Sequence, residues 1–424
     1  MADRRATRCP RCFSMRTSFL LAAGISILAA PAFGEPLTFQ QALTRAEQSA
    51  PSLAARVAEI DAATAASRSV GRLPDPKFRA GFENYPVSGP MAGSLSGESM
   101  TMQSFGIMQD VPNGAKRRAA KKQASAEILS AEAAYAVDAR DARLSAGLAW
   151  VDLYFARRKL KALDEVEKAI APLKSTATSQ VEAGNLRPAQ SLEAAELEAA
   201  IADRRSELTA EATKARAELI RWTGDPTADI SGEAPQFEID PIALHAGLGR
   251  NPNLAAMSAM TARSDADVAA ATAEKRPDWG WEVSYQRRDP IWGDMISAGV
   301  TISLPLFSKN RQDPMIESKA KLSTRARHNE DAARRQVEAQ LQSDLADHTM
   351  HYERLVRAQT VILPLAQQKA DLELASYGAG TASLADVLQS QILLAEARID
   401  AVAREASLAR NSIRIHFTYG EHEQ

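Results

Sequence analysis

YGAGTASLADVLQSQ, residues 377–391, breaks a long Ala/Leu/Glu/Gln-rich tract that otherwise reads as helix, and VEAGNLRPAQSLEAA, residues 181–195, does the same 196 residues earlier. Gly184 and Gly380 suit the left-handed residue that lets a long helix stop. Pro188 suits the first turn of a returning helix. Ser383 with Asp386 forms the S-x-x-D of a capping box. Each stretch reads as a corner between two helices, and the two corners read as copies of one design.

Other segments repeat around them. SAPSLAARV (49–57) resembles RNPNLAAMS (250–258) at an offset of 201, which also places Pro76 and Phe78 on Pro277 and Trp279. SFGIMQDVPNGAKRR (104–118) resembles SAGVTISLPLFSKNR (297–311) at an offset of 193. Self-similarity on this scale marks a tandem duplication. The expected organisation is a leader over 1–34, a first repeat over 35–235 and a second over 236–424. Each repeat is a medium helix, a β-hairpin (77–111; 278–306) and a long helical hairpin (113–222; 310–416), so the chain reads as mainly α with β.

The strands are clearest in the second copy. Trp279, Trp281, Val283 and Tyr285 alternate with Gly280, Glu282, Ser284 and Gln286, while Ile296, Ala298, Val300, Ile302 and Leu304 alternate with small or polar residues. Period two with one apolar face is a strand signal, and each run has about the 9–11 residues that cross an outer membrane at a tilt. Trp279, Trp281, Tyr285 and Trp292 are candidates for an interfacial aromatic belt. An ordinary soluble hairpin packed on a core would give the same alternation. If the strands do span lipid, four cannot close a barrel, and an open edge in hydrocarbon leaves backbone groups unbonded. Several chains must then pool their strands.

The amino terminus favours export. Arg4, Arg5, Arg8, Arg11 and Arg16 precede SFLLAAGISILAA (18–30), and small residues precede a cut at Glu35; Met15 would also serve as a start. CPRC (9–12) contains the only two cysteines and falls within that leader, so the mature chain is expected to be thiol-free. Loss of five arginines and one aspartate leaves 46 basic against 52 acidic residues, which argues against nucleic acid. No later apolar run reaches the length of about 18 that a membrane helix needs. Leu144, Leu148, Val151 and Phe155, and then Leu384, Leu388, Ile392, Ala395, Ile399 and Val402, recur at spacings of 3 and 4, the seams of packed long helices. Pro172 and Pro364 should kink these helices. The cluster KRRAAKK (116–122) is either a solvated face or an anchor at the inner rim of a barrel.

Together, the leader, the duplicated strand–strand–helix–turn–helix unit, LPLF (304–307) after a hairpin and YGAGTASLADVLQSQ resemble the TolC-type outer-membrane efflux channels. EKRPDWGWEVSYQRRDP…LPLFSKNRQDP is similar to the heavy-metal branch of that family. The resemblance implies an outer-membrane homotrimer, with a twelve-stranded barrel continuing into a long periplasmic α-helical barrel. Its implied partners are a periplasmic adaptor and an inner-membrane pump, of the resistance-nodulation-division type, with no cofactor. Gly184, Asn185, Leu186, Gly380, Thr381 and Ala382 fall on the adaptor-contacting turns of the tip. Asp386 matches an aspartate that rings the closed entrance, and Gln389 replaces a second one. Tyr377 matches a residue of a latch that holds the tip shut; the latch's arginine is Ala382 here, and its aspartate is Gln190.

Cargo is less specified. Met91, Met100, Met102 and Met108 offer soft thioethers, although strand packing uses methionine equally well. His348 and His351 lie three apart on a helix without a third ligand placed by sequence. No G-x-S-x-G, H-E-x-x-H or P-loop supports an enzyme. A multidrug outlet and a type I protein-secretion outlet share the fold and stay open beside metal efflux, whereas a periplasmic adaptor would carry a single helical hairpin.

Overall fold

Residues 36–182 and 188–420 are described by a computed structural model, without the side chains of 169, 170, 173–182, 188–194 and 197. The leader, both candidate start methionines and the turn 183–187 lie outside the described residues. The elements in order are α1 (Phe39–Ser49), α2 (Pro51–Ser67), β1 (Lys77–Glu83), β2 (Met102–Val111), α3 (Gly114–Glu182) and α4 (Pro188–Thr223), followed by α5 (Pro241–Gly247), α6 (Pro252–Ala273), β3 (Trp279–Arg287), β4 (Met295–Ile302), α7 (Ser308–Arg357), α8 (Leu363–Gly378) and α9 (Leu384–Ile415).

The opening helix of each half is a pair where one medium helix was expected. Pro51 and Pro252 each sit at a first helical position, where the missing N–H costs nothing, and each follows an N-cap residue outside the helical region. Helix α3 has 69 residues and runs through Pro172, so at 1.5 Å per residue it is about 100 Å long. At the related proline the outcome differs. A π-helical turn over Ala358–Ile362 takes up one extra residue, and Pro364 enters the first turn of α8.

The core is a belt around the middle of α3. Trp150 is wholly buried, packs edge-on against Phe39 with ring centroids 5.7 Å apart, and donates its indole N–H to the Leu37 carbonyl at 2.9 Å. Leu37 bridges to Ile230 in the segment after α4, so the first described residues are tied to the connection between the halves. The seam residues Val151 and Phe155 lie in this core with Leu144 and Leu148 beside them. Leu384, Leu388 and Ala395 pack with Val166 of α3, and Ile399 packs with Leu163 and Leu208, joining α9 to both helices of the first hairpin. The last described residues are held by the Tyr419 hydroxyl, which donates to buried Asp344 of α7 at 2.9 Å.

The four strands form one antiparallel sheet in the order β1-β2-β3-β4. The register pairs Phe78 with Ile107, Ile107 with Val283, and Val283 with Ala298. Each half supplies one hairpin, and the second half's β3 pairs with the first half's β2.

Candidate functional site

Directly opposed residues of an antiparallel sheet share a face, so the register sorts the strands into two sets. One face carries Phe78, Ala80 and Phe82, then Phe105 and Ile107, then Trp279, Trp281, Val283 and Tyr285, then Ile296, Ala298, Val300 and Ile302. The large apolar members of this face are exposed, Val300 at 67% and Ile296 at 76%. The other face carries Arg79, Gly81 and Glu83, Ser104, Gly106 and Asp110, Gly280, Glu282, Ser284 and Gln286, and Ser297, Gly299 and Thr301. Ser104, Ser284 and Gln286 on it are buried, and Gln286 donates to Ser284 Oγ at 2.8 Å. A soluble sheet hides its apolar face. Along the central strands β2 and β3 this one buries polar-face residues and shows the apolar face, the polarity of a strand between lipid and water, while the edge strands β1 and β4 are exposed on both faces. Among the described residues no helix is long and apolar enough to cross a membrane.

The belt candidates stand at different heights. Trp279 opens β3 at the helical end, while Tyr285 lies near the other end and Trp292 in the turn beyond it. Six residues at about 3.3 Å each put roughly 20 Å between Trp279 and Tyr285, the spacing of two girdles rather than one. Trp281 falls between them.

Sequence reasoning missed the junction between sheet and helices. Asn113 caps α3 by accepting from Lys116 N–H at 2.8 Å, and its own N–H and side-chain amide both donate to Asp278 Oδ1 at 2.8 Å. Lys116 Nζ bridges Asp278 and Glu274, each at 2.7 Å. Burial opposes ionisation of Asp278, but these donors outweigh it and hold the carboxyl below the usual carboxylate range. Arg117 donates to the Gly71 carbonyl at 2.8 Å. Lys116 and Arg117 therefore tie the start of α3 to the segments that precede β3 and β1, whereas Arg118, Lys121 and Lys122 are exposed. The available signal was Asn113 one residue before a helix, an N-cap type at an N-cap position.

At the far end, the turn after α8 closes as a Schellman motif. Thr381 N–H donates to Ser376 O at 2.9 Å and Gly380 N–H to Tyr377 O at 3.0 Å, with Gly380 at φ +75°. Ser383 and Asp386 form a full capping box: Asp386 accepts from Ser383 N–H at 2.9 Å and Ser383 Oγ at 2.6 Å. The hydroxyl, then the N–H, holds this carboxyl below the usual carboxylate range. Asp386, Gln389, Leu393 and Glu396 form one exposed stripe on α9, with Val387 and Leu388 buried behind it. Tyr377 packs with Leu384 and Val166, and its hydroxyl is buried with no hydrogen-bond partner among the described residues. Gly184, Asn185 and Leu186 lie outside the described residues, as does the side chain of Gln190.

The soft and imidazole candidates are not assembled. Met102 and Met108 share the polar face of β2, but six residues put roughly 20 Å between them. Met91 and Met100 lie in the loop between β1 and β2. His348 and His351 are both shifted down, chiefly by burial. Among the described residues no group of three or more His, Cys, Asp or Glu could hold a metal ion.

Residues 243–421 match the outer membrane efflux protein family. No curated protein matches the chain in sequence. Among solved structures, the outer-membrane channel OprN is similar at 18% identity and a TM-score of 0.77, over 91% of this chain and 90% of that one. The outer membrane protein VceC from Vibrio cholerae is similar at 17% identity and a TM-score of 0.75, over 90% of this chain and 96% of that one. CusC, described for its transmembrane channel formation, is similar at 14% identity and a TM-score of 0.75, over 91% and 92%. The second half of the chain thus matches the outer membrane efflux protein family, and over nine-tenths of its length the chain has the fold of outer-membrane channels.

Proposed function

We propose that the chain is the outer-membrane outlet of a tripartite efflux system, a homotrimer that passively conducts heavy-metal cations from a periplasmic adaptor and an inner-membrane pump of the resistance-nodulation-division type to the exterior. The observation that carries the channel reading is the sheet, apolar outside and polar inside with both edges open. Such a sheet is stable in lipid only when other copies close it. The helical barrel then extends into the periplasm, and the turn at 379–383 faces the adaptor.

Cation cargo is supported by the exposed stripe of α9. Asp386 is held ionised by its own helix cap, so three copies around an entrance would repel anions, and Gln389 leaves that ring with a single aspartate level. Ala382 and Gln190 stand where the family resemblance would place a latch's arginine and aspartate. The resting tip is accordingly held weakly.

The test is growth of a deletion strain on graded copper, silver, zinc, cobalt, cadmium and nickel beside dyes and detergents. Sensitivity to metals alone, reversed by the intact gene, is the expected result. Sensitivity to organic compounds alone rejects the cation cargo and keeps the channel. Loss of an exported protein with no sensitivity points to a secretion outlet.

A further inference from the structure

Helix α3 packs against both α4 and α9, while α4 and α9 touch only lightly. Between the three lies a cavity of about 480 Å³, within the ~300–1,000 Å³ of small-molecule sites. Buried Leu163 and Val166 of α3 form its floor. Ile201 of α4 and Ile392 and Ile399 of α9 form its walls. Ala200, Ala395 and Ala403 also face it and leave it unfilled. Apolar side chains around an unfilled space forgo dispersion contacts that a fitting apolar body would restore.

The mouth of this cavity is acidic. Arg204 and Asp400 stand at it, but each is paired along its own helix, with Glu207 and Arg404, both at 2.7 Å. Glu396 is exposed and makes no ion pair among the described residues. Glu396 also belongs to the stripe of Asp386, Gln389 and Leu393, so the cavity opens beside that stripe. Ten residues at 1.5 Å each place Glu396 about 15 Å along α9 from Asp386. The two carboxylates are therefore separate levels.

We propose that this cavity binds amphipathic organic cations, ligands with an aromatic or branched apolar body and one quaternary ammonium or phosphonium charge. The body covers Leu163, Val166 and Ile201, and the charge lies beside Glu396. A metal ion needs several oxygen or nitrogen ligands, which one free carboxylate over an apolar floor does not supply. An organic anion of the same shape is repelled by Glu396. The site itself stands on the cavity and its rim. Its effect on flow rests on the channel reading above: a ligand held in the wall beside the stripe obstructs ions that pass the Asp386 level.

The test is photolabelling of the full chain in outer-membrane vesicles with a benzyltrimethylammonium that carries a diazirine, mapped by peptide mass spectrometry. Label is expected on peptides containing 163–166, 200–204 and 392–403, competed by tetraphenylphosphonium but not by tetramethylammonium or tetraphenylborate. Tetramethylammonium has the charge without the apolar body, and tetraphenylborate has the body with the opposite charge. Glu396→Gln, nearly isosteric and at an exposed position, should weaken labelling on the order of tenfold by removing one charge contact. Ala200→Phe fills the cavity from an exposed position and should weaken labelling with Glu396 intact. Equal competition by either control ion, or labelling unchanged in both variants, overturns the site. In a planar bilayer, tetraphenylphosphonium should reduce a metal-ion current, and Ala200→Phe should relieve that block. Labelling without block overturns the placement of the mouth on the passage. Labelling in a chain that carries no current contradicts the channel and leaves the site; current without labelling does the reverse.

Discussion

At Gly380 the backbone sits at φ +75° in open space: a Cβ there would meet nothing within 4 Å. Any penalty for a side chain is therefore conformational rather than steric. Gly380→Ala should destabilise the tip turn by about 1 kcal/mol, the cost of the left-handed region for an L-residue. Gly378, two residues earlier, also has open space but is helical, so Gly378→Ala should stabilise by about 0.5–1 kcal/mol. Hydrogen exchange of the amides of 376–384, compared between the two variants, checks the opposite signs; equal effects would mean the turn does not depend on Gly380. This residue was legible in the sequence because glycine at a helix end has one strong physical meaning. Asn113 was equally local in its capping role, yet its reach to Asp278, 165 positions away, was not legible, because only the fold brings the two halves together.

At the scale of elements, the strands were read from alternation alone, and β3 and β4 follow it residue by residue. The first copy was harder because β2 places Gln103 and Gln109 on the apolar face and Met102 and Met108 on the polar one, which blurs the period. What alternation could not say was which face is hidden. That followed from exposure: Val283 shows its side chain while Gln286 is buried. Val283→Arg should consequently cost about 2–4 kcal/mol and deplete the protein from the outer membrane, if this position lies near mid-bilayer. Ser297→Arg, on the polar face, should leave membrane levels unchanged and alter conductance instead. Quantitative fractionation separates the two; equal depletion would contradict the assignment of faces. The helices were legible as long seams, but the π turn at 358–362 was not, since nothing in AQTVI marks an inserted residue.

At the scale of the whole molecule, an apolar-faced sheet, a charged junction at Asn113, Lys116 and Asp278, a core around Trp150 and a capped helix start at Asp386 make up one chain. The order of these parts follows from the duplication, which the sequence displays at its offsets. The core around Trp150 does not: its indole N–H bonds to Leu37, 113 positions away, and ties α3 to the first described residues. Such long-range ties have no period or motif to announce them. The central claim is that the sheet walls a water-filled passage through a membrane. Single cysteines along β3 at 281–286, in the chain with Cys9→Ser and Cys12→Ser, should be labelled in intact cells by a small hydrophilic maleimide. Reaction at positions 282, 284 and 286 with protection at 281, 283 and 285 is the predicted result. Uniform reaction, or the opposite alternation, would contradict it.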